Sequence, residues 1–193
     1  NNKRILPWRK NTSKEQKLYF TFVSEFMLQQ TQVSTVIPYF KRFVQKIPNF
    51  KKLSKTNDQT LMKLWEGLGY YSRARNLKKS AIMISGKFGG ILPSNFEDLK
   101  SLPGVGDYTS TAIMAIAFNQ KFIPLDGNVE RILKRVLYLR NEKDISKENM
   151  QISKNFFGLS ERASDYAQAI MELGALVCRP TSCLLYTSPS PRD

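Results

Sequence analysis

The sequence predicts an all-α protein built from short helices. Apolar side chains recur every three or four residues in several segments, which is the spacing of one face of an α-helix. Runs in which polar and apolar residues alternate, the pattern typical of strands, are scarce. Prolines separate the helical segments, because a proline lacks the backbone donor that a helix interior needs. These prolines are Pro38, Pro48, Pro93, Pro103 and Pro124.

Three apolar faces follow one another along the chain. We interpret each face as part of a buried core, since apolar side chains at helical spacing usually pack inward. The first face contains Tyr19, Phe22, Val23, Phe26 and Gln30, the second contains Leu61, Leu64 and Trp65, and the third contains Ile113, Ile116 and Ala117.

A glycine-containing turn is predicted between two helices at Leu102–Thr109, where the sequence is LPGVGDYT. Gly104 and Gly106 allow the backbone to turn its N–H groups outward at the start of the next helix, an arrangement that binds phosphate. A Gly-x-Gly pair alone is weak evidence for such a site. Further along, Asp126 follows Pro124 and is placed to cap the helix that comes next.

The balance of charges favours a polyanionic partner. The chain has 30 Lys and Arg against 16 Asp and Glu, a formal net charge of +14, and such an excess favours nucleic acid through counterion release. The alternative is a basic protein whose lysine pairs, such as Lys51–Lys52 and Lys78–Lys79, are only solvated. Because the chain has no histidine, acid-base chemistry must depend on Glu, Asp, Lys or Tyr.

The two ends of the chain carry further expectations. No apolar run approaches the roughly 20 residues of a membrane helix, and no signal-peptide core follows the N-terminus, so we expect a cytoplasmic protein without a membrane partner. The chain begins without Met and is interpreted as a fragment. Residues 183–193 have no helical period and are interpreted as a non-native tail that follows Ser182. A natural disordered tail is the alternative.

Three further motifs accompany the glycine turn. Ser24–Val33 reads SEFMLQQTQV, Gly67–Leu77 reads GLGYYSRARNL, and Leu125–Val129 reads LDGNV. Together with Leu102–Thr109 they resemble the MutY adenine DNA glycosylases, members of the helix-hairpin-helix superfamily that also contains endonuclease III. The resemblance extends over about residues 6–178.

The resemblance implies two all-α lobes with the active-site cleft between them. The first lobe is a six-helix barrel over residues 13–122, with the helix-hairpin-helix at about 96–118. The second lobe combines residues 1–12 with residues 123–182.

The resemblance also implies two catalytic carboxyl groups. Breaking the bond between adenine and deoxyribose requires an acid for the departing base and an anion for the charge that builds on the sugar. Glu25 has apolar neighbours that raise its pKa, and it is expected to protonate adenine N7. Asp126 is expected to stabilise the sugar cation. Without the resemblance, Glu25 reads as helix surface and Asp126 as a helix cap.

Further residues are assigned by the resemblance to the adenine pocket. Tyr108 stands where related enzymes that also cut the DNA backbone carry a Schiff-base lysine, and because a phenol forms no imine, we predict a monofunctional glycosylase. The alternative for Tyr108 is a half-buried aromatic that supports the turn. The segment between Trp8 and Ser24 is longer than the family usually has. The remaining pocket residues are Asn128, Gln168, Trp8 and Arg9.

A base taken out of the duplex leaves a gap that protein side chains must fill. Gln30 and Tyr70 match the two intercalating positions of the family, and Leu68 is expected to press on the opposite base. Otherwise Tyr70 reads as a core aromatic and Gln30 as an exposed amide. The residues expected to grip phosphates or to orient the DNA backbone are Arg73, Arg75, Gly104 and Gly106.

The resemblance also implies a cofactor. In the family, four cysteines beginning at the position of Cys178 bind a 4Fe–4S cluster through thiolates. This chain retains only the first, since Cys183 arrives at the wrong spacing and within the predicted tail. We therefore expect the cluster in the complete protein and not in this chain. A disulfide between the two thiols is not expected.

The expected function is the removal of adenine mispaired with 8-oxoguanine or guanine in double-stranded DNA. The enzyme is expected to act as a monomer in bacterial base excision repair, and an inactive fragment is one alternative for this chain. Two rival functions stay open. One is a glycosylase for mismatched thymine or oxidised pyrimidines, and the second is a helix-hairpin-helix module that binds DNA without catalysis.

Overall fold

The computed structural model describes residues 4–10, 12–137 and 161–180. These residues form helices and no β-strand, which confirms the all-α prediction. A short 3-10 helix at Pro7–Arg9 precedes the α-helices. The α-helices of the described residues are α1 (Lys14–Leu28), α2 (Val33–Lys46), α3 (Phe50–Lys55), α4 (Asp58–Trp65), α5 (Tyr71–Lys87), α6 (Phe96–Lys100), α7 (Asp107–Ile116), α8 (Gly127–Leu137) and α9 (Ala163–Leu176).

Several of these helices begin at a side-chain cap. A cap oxygen satisfies one of the backbone N–H groups that the first helical turn leaves without a partner. Ser13 accepts from the backbone of Gln16 at the start of α1, at 3.3 Å. The asparagines that cap α3, α4 and α6 accept at 2.7–2.8 Å, and they are Asn49, Asn57 and Asn95.

Residues 13–122 contain seven helices rather than the six that we predicted. The additional element is short: Ile47 ends α2, Pro48 follows, and Asn49 caps the six-residue α3. Proline cannot continue the preceding helix, so the chain turns and starts a new one. The predicted division between α6 and α7 at the glycine turn is found at residues 101–106.

Two separate apolar cores form the two lobes. The first core gathers the aromatic face of α1 with side chains from α2 to α7. Phe22 and Phe26 are fully buried there, whereas Gln30 lies beyond the end of α1 and is exposed. The second core contains Ile123, Val129, Ile132, Leu133, Ala163, Ile170 and Cys178.

The N-terminal segment bridges the lobes. We predicted residues 1–12 as part of the second lobe, but Leu6 and Trp8 pack into the first core. The Trp8 ring meets Phe40 edge to face, with ring centroids 5.3 Å apart. Two charged side chains of this segment reach the second lobe, where Arg4 and Arg9 bind Glu172. The lobe boundary near residue 122 stays a prediction.

The turn between α6 and α7 packs tightly against the first lobe at a glycine. Gly104 has φ +79°, in the left-handed region, and a Cβ at this position would lie 2.8 Å from Asn76 Cβ and 2.9 Å from Phe26 Cε1. The other glycine of the turn differs. Gly106 has φ −93° at the N-cap of α7, and a Cβ there would meet open space.

None of the helices in the described part of the chain combines the length and the apolar character needed to cross a bilayer.

Gly104→Ala is expected to lower the free energy of unfolding by about 2–4 kcal/mol, because the left-handed backbone and the close contacts each carry a cost. Gly106→Ala is the matched control and is expected to cost less than about 1 kcal/mol, the loss of a modest cap. Urea unfolding of both variants measures the difference. Equal losses in the two variants would show that the turn does not depend on close packing at Gly104.

Candidate active site

A cavity of about 260 Å³ lies between the two lobes. Its walls come from the N-terminal segment, α1, α7, the segment before α8, and α9. The two carboxyl groups that we predicted to be catalytic, Glu25 and Asp126, both line it, although 101 positions separate them in the chain. Other lining residues are Arg4, Trp8, Arg9, Thr21, Ser24, Tyr108, Asn128 and Met171.

Glu25 lies on the cavity side of α1 and is 4% exposed. Its Oε2 atom is buried, and no described residue offers it a hydrogen bond. Burial raises the pKa of Glu25 to about 7, with a smaller increase from Asp126 and an opposing decrease from Arg9. An ionised carboxylate is poorly solvated in such a place, so Glu25 still holds its proton in about half of the molecules at neutral pH and in most of them below it. The interpretation of Glu25 as helix surface was therefore wrong.

Asp126 caps α8, and the alternative of an N-cap is confirmed. Its Oδ1 atom accepts from the backbone N–H of Asn128 at 3.0 Å and of Val129 at 2.7 Å. The Oδ2 atom receives a longer hydrogen bond of 3.3 Å from Asn128 Nδ2. Its two oxygens therefore have different roles: Oδ1 anchors the helix, and Oδ2 is held only by the longer hydrogen bond from Asn128.

Asn128 is itself held in place from the other side. Arg131 Nη2 donates to Asn128 Oδ1 at 2.9 Å, to Gly174 O at 2.8 Å and to Cys178 O at 2.7 Å. The backbone of α9 approaches so closely that a Cβ on Gly174 would lie 2.8 Å from Asn128 Cβ. The Oδ1 atom of Asn128 is thus fixed by Arg131, and its Nδ2 atom donates to Asp126.

Tyr108 lies at the start of α7 and lines the same cavity. Burial raises the pKa of its phenol, and the nearby carboxyl groups of Glu25 and Asp126 raise it further. The group is therefore a neutral phenol. No lysine occurs among the described residues that line the cavity.

Two charged residues that sequence reasoning missed lie at the edge of the site: Arg4 lines the cavity, and Glu172, which does not, pairs with Arg4 and Arg9. Glu172 on α9 accepts from Arg4 Nε at 2.7 Å and Arg4 Nη2 at 3.0 Å, and from Arg9 Nη1 at 2.7 Å. Burial alone would raise the pKa of Glu172, but hydrogen bonds and charge from Arg4 and Arg9 lower it below its ordinary value. The sequence carries no signal for a pairing between residues more than 160 positions apart.

The predicted pocket residues are therefore not all brought together. Trp8 and Arg9 line the cavity, as does Asn128. Gln168 does not, which is a correction. It lies one turn before Glu172 on α9, where its Nε2 atom donates to the backbone carbonyl and hydroxyl oxygens of Ser164, both at 3.1 Å. These bonds keep its amide beside a neighbouring hollow instead.

Two of the residues predicted to contact DNA are exposed at adjoining turns. Gln30 follows α1, and Tyr70, which is 62% exposed, immediately precedes α5. The core interpretation of Tyr70 was therefore wrong. Arg75 is exposed on α5.

Two further residues of that predicted set are buried, and their assignments need correction. Leu68 is 5% exposed and belongs to the first core, so it does not project from the loop. Arg73 is 7% exposed, and its guanidinium donates to backbone carbonyls of the two turns. Both of its Nη atoms donate within the protein and its Nε atom is buried without a partner among the described residues, so Arg73 does not present a phosphate contact.

Cys178 does not form a metal centre with the described residues. It is buried in the second core, and its sulfur lies 3.1 Å from Arg135 Nη1. No group of three or more Cys, His, Asp or Glu residues that would fit a metal ion occurs in residues 4–10, 12–137 and 161–180. A cluster that needs four thiolates therefore does not fit the part of the chain described. Cys183 and the predicted tail lie outside it.

Glu25→Gln is expected to change how stability depends on pH. Because burial raises the folded-state pKa of Glu25 from 4.5 to about 7, the folded protein keeps a proton that the unfolded chain loses. The stability of the parent protein therefore falls as pH rises through this window, by about 3 kcal/mol in total. Glutamine has no proton to lose at this position. Between about pH 5 and pH 8, the free energy of unfolding of Glu25→Gln, measured in urea, is therefore expected to rise relative to that of the parent.

The control for this experiment is Glu15→Gln, an exposed glutamate in the first turn of the same helix. Its difference from the parent is expected to stay nearly constant over the same pH range. If the difference in unfolding free energy between Glu25→Gln and the parent also stayed constant with pH, the buried carboxylate of Glu25 would ionise without a loss of stability, which contradicts the prediction.

Comparison with curated proteins relates the chain to a group of repair enzymes. It is 39% identical over 181 residues to a protein named adenine DNA glycosylase from Buchnera aphidicola subsp. Acyrthosiphon pisum. It is 43% identical to the protein of that name from Rattus norvegicus and 41% identical to that from Homo sapiens. These alignments cover 92%, 92% and 97% of this chain, but 50%, 36% and 36% of the relatives. The chain spans half or less of the length of each.

Solved structures share the fold. A thermostable thymine-DNA glycosylase matches with a TM-score of 0.77 and 25% identity, covering 93% of this chain and 82% of that one. A non-covalent endonuclease III–DNA complex matches with a TM-score of 0.78 and 21% identity, covering 94% and 83%. Residues 23–156 match a family model described as HhH-GPD superfamily base excision DNA repair protein. The chain, with its two helical lobes and the cavity that holds Glu25 and Asp126 between them, belongs to the HhH-GPD superfamily of base excision DNA repair proteins.

Proposed function

We propose that this chain is the catalytic part of an adenine DNA glycosylase. The observation that carries the proposal is one cavity with a protonated, buried Glu25 and a second carboxyl group, Asp126, whose Oδ2 is only weakly engaged. Hydrolysis of an N-glycosidic bond needs this combination of an acid and an anion. The names of the relatives, adenine DNA glycosylase, suggest that the base removed is adenine.

In the proposed reaction, Glu25 donates its proton to N7 of the adenine. The bond between the base and the sugar C1′ then breaks, and its electron pair leaves with the base. Asp126 Oδ2 stabilises the positive charge that develops on the sugar, while Asn128 keeps that carboxylate in place. Water adds to C1′, releases a proton, and leaves an abasic site.

The environments of the two carboxyl groups support this division of labour. Glu25 is buried without a hydrogen bond to Oε2, which favours its neutral form. Asp126 accepts two backbone N–H bonds at a helix start, which hold its Oδ1 atom in place. An acid with a raised pKa beside a second, fixed carboxyl group suits the cleavage of a glycosidic bond.

Binding to double-stranded DNA is supported by the net charge of +14 and by the turn at residues 101–106. A base must leave the stack to reach a closed cavity. Gln30 and Tyr70 are proposed to fill the gap that it leaves, and Arg75 and the amides of the glycine turn to hold the backbone.

The finer specificity rests on the family resemblance. We propose adenine opposite 8-oxoguanine, and with lower efficiency opposite guanine, as the substrate of a monomeric cytoplasmic enzyme. A 4Fe–4S cluster is proposed only for a protein that carries the further cysteines, and no step above depends on it.

Base release tests the proposal directly. Under single-turnover conditions, the chain is expected to release adenine from a duplex with an adenine–8-oxoguanine pair, with a rate that falls above about pH 7 as Glu25 ionises. Glu25→Gln is expected to lower this rate by at least about 10²-fold while leaving duplex affinity largely intact. Binding without release by the parent chain would favour a non-catalytic module. Release only of thymine or an oxidised pyrimidine would favour another glycosylase.

Borohydride trapping tests the monofunctional mechanism. Because the cavity is lined by the phenol of Tyr108 and by no lysine among the described residues, no imine with the sugar is expected to form. The expected result is a trace of covalent protein–DNA adduct at most. Tyr108→Lys supplies an amine at the same position and serves as the positive comparison. Abundant adduct from the parent chain would contradict the proposal.

A further inference from the structure

Two exposed side chains stand on strained backbone at neighbouring turns. Gln30 has φ +56° and Tyr70 has φ +47°, and neither is a glycine. A non-glycine residue in the left-handed region costs about 1–2 kcal/mol and persists only where the surroundings hold it. Gln30 lies in the turn between α1 and α2, and Tyr70 lies between α4 and α5. Something must therefore hold these two turns.

The buried guanidinium of Arg73 joins the two turns. On one side, Nη1 donates to Met27 O at 2.9 Å, to Thr31 Oγ1 at 3.0 Å and to Gln29 O. On the other side, Nη2 donates to Leu68 O at 3.0 Å and to Gly69 O at 3.1 Å. The acceptors thus belong to the residues on both sides of Gln30 and to the residues just before Tyr70.

The second turn has additional contacts to the same group. Trp65 Nε1 donates to Gly69 O at 3.1 Å, so this carbonyl receives two donors. The Arg73 Cζ atom lies 5.4 Å from the centre of the Tyr70 ring and 5.7 Å from that of Trp65. A cation at this distance is attracted to an aromatic face. The ring of Tyr70 is therefore oriented by the same guanidinium that holds its backbone.

We propose that Arg73 is a positioning residue that makes Gln30 and Tyr70 one rigid, two-part wedge for entry into a DNA base step. The inference rests on the proposed function, because it concerns the surface that meets DNA. Only a planar group with several fixed donors spans both turns at once, and the compact ammonium of lysine does not. The role differs from a phosphate contact, since Nη1 and Nη2 of Arg73 donate to backbone carbonyls and to Thr31 Oγ1 inside the protein.

The first turn is also tied to the glycine turn. Gln29 Nε2 lies 3.2 Å from Gly104 O and 3.3 Å from Thr109 Oγ1. Because Gln29 O accepts from Arg73, the contacts run from the residues before Tyr70, through Arg73 and Gln29, to the turn at residues 101–106. The wedge is thereby placed at a fixed distance from that turn.

The test compares Arg73→Lys and Arg73→Met with Arg75→Met, a matched loss of an exposed arginine on the same helix. Fluorescence anisotropy measures binding to two duplexes, one with a non-cleavable adenine analogue opposite 8-oxoguanine and one fully paired. Both Arg73 variants are expected to reduce the affinity ratio between the duplexes at least tenfold, with an unchanged salt dependence. Arg75→Met is expected to keep the ratio and to lower the salt slope by about 0.9, the loss of one phosphate contact.

A double-mutant cycle separates positioning from a purely structural role. In the parent chain, Gln30→Ala and Tyr70→Ala are expected to be strongly non-additive in the affinity for the mispaired duplex, because the two side chains act as a unit. In the Arg73→Lys background their effects are expected to add. Non-additivity that survives Arg73→Lys would overturn the proposal, as would a salt slope that falls by one phosphate.

Thr31→Val is a milder variant for the case in which Arg73→Met does not fold. It removes one acceptor of Arg73 and keeps the side-chain volume, and it is expected to reduce the duplex ratio and the non-additivity in part. An unchanged ratio and unchanged non-additivity in Thr31→Val would count against the proposal. None of these readouts requires base release, so a chain that binds without cleaving still tests the role of Arg73.

Discussion

The arrangement of this protein depends on one carboxyl group placed where water does not solvate it. Glu25 lies within a helix whose other buried positions are mostly aromatic and aliphatic, and its Oε2 finds no partner among the described residues. Arg9 lowers the pKa of Glu25, but the effect of burial is larger and the net shift is upward. The Arg9 guanidinium also forms an ion pair with Glu172 at 2.7 Å, so the same cation faces Glu25 and links the N-terminal segment to the second lobe.

The contrast with Asp126 follows from backbone geometry alone. Both side chains have the same functional group, and both face one cavity. One is attached to the middle of a helix, where every backbone N–H is already used, and the other precedes a helix, where N–H groups have no partner. The fold therefore gives the two carboxyl groups different surroundings by their position within a helix, and Asn128 and Arg131 then fix the orientation of Asp126.

The sequence predicted those features that depend on local pattern. Helical periodicity identified the buried face of α1, and the proline before Asp126 indicated a cap. Pro48, Pro93, Pro103 and Pro124 lie between helices as predicted, but the prediction was wrong for Pro38, which lies inside α2. The sequence did not predict contacts between residues that are far apart in the chain. The ion pairs of Glu172 with Arg4 and Arg9 join the two ends of the described chain, and no local pattern announces them. Arg73 was misjudged for the same reason: in the sequence it is one of many cations, and only the fold shows that carbonyl oxygens surround it. The prediction for Gln168 was wrong because its side chain donates to Ser164, one turn earlier in the same helix, and does not reach the cavity.

The link between Gln29 and the glycine turn fixes a spacing within the protein. Gln29 contacts Gly104 and Thr109 while Arg73 holds the turns that carry Gln30 and Tyr70. The separation between the glycine turn and these two side chains is therefore set by the polypeptide, so a duplex that touches both has to adjust its own path to that spacing.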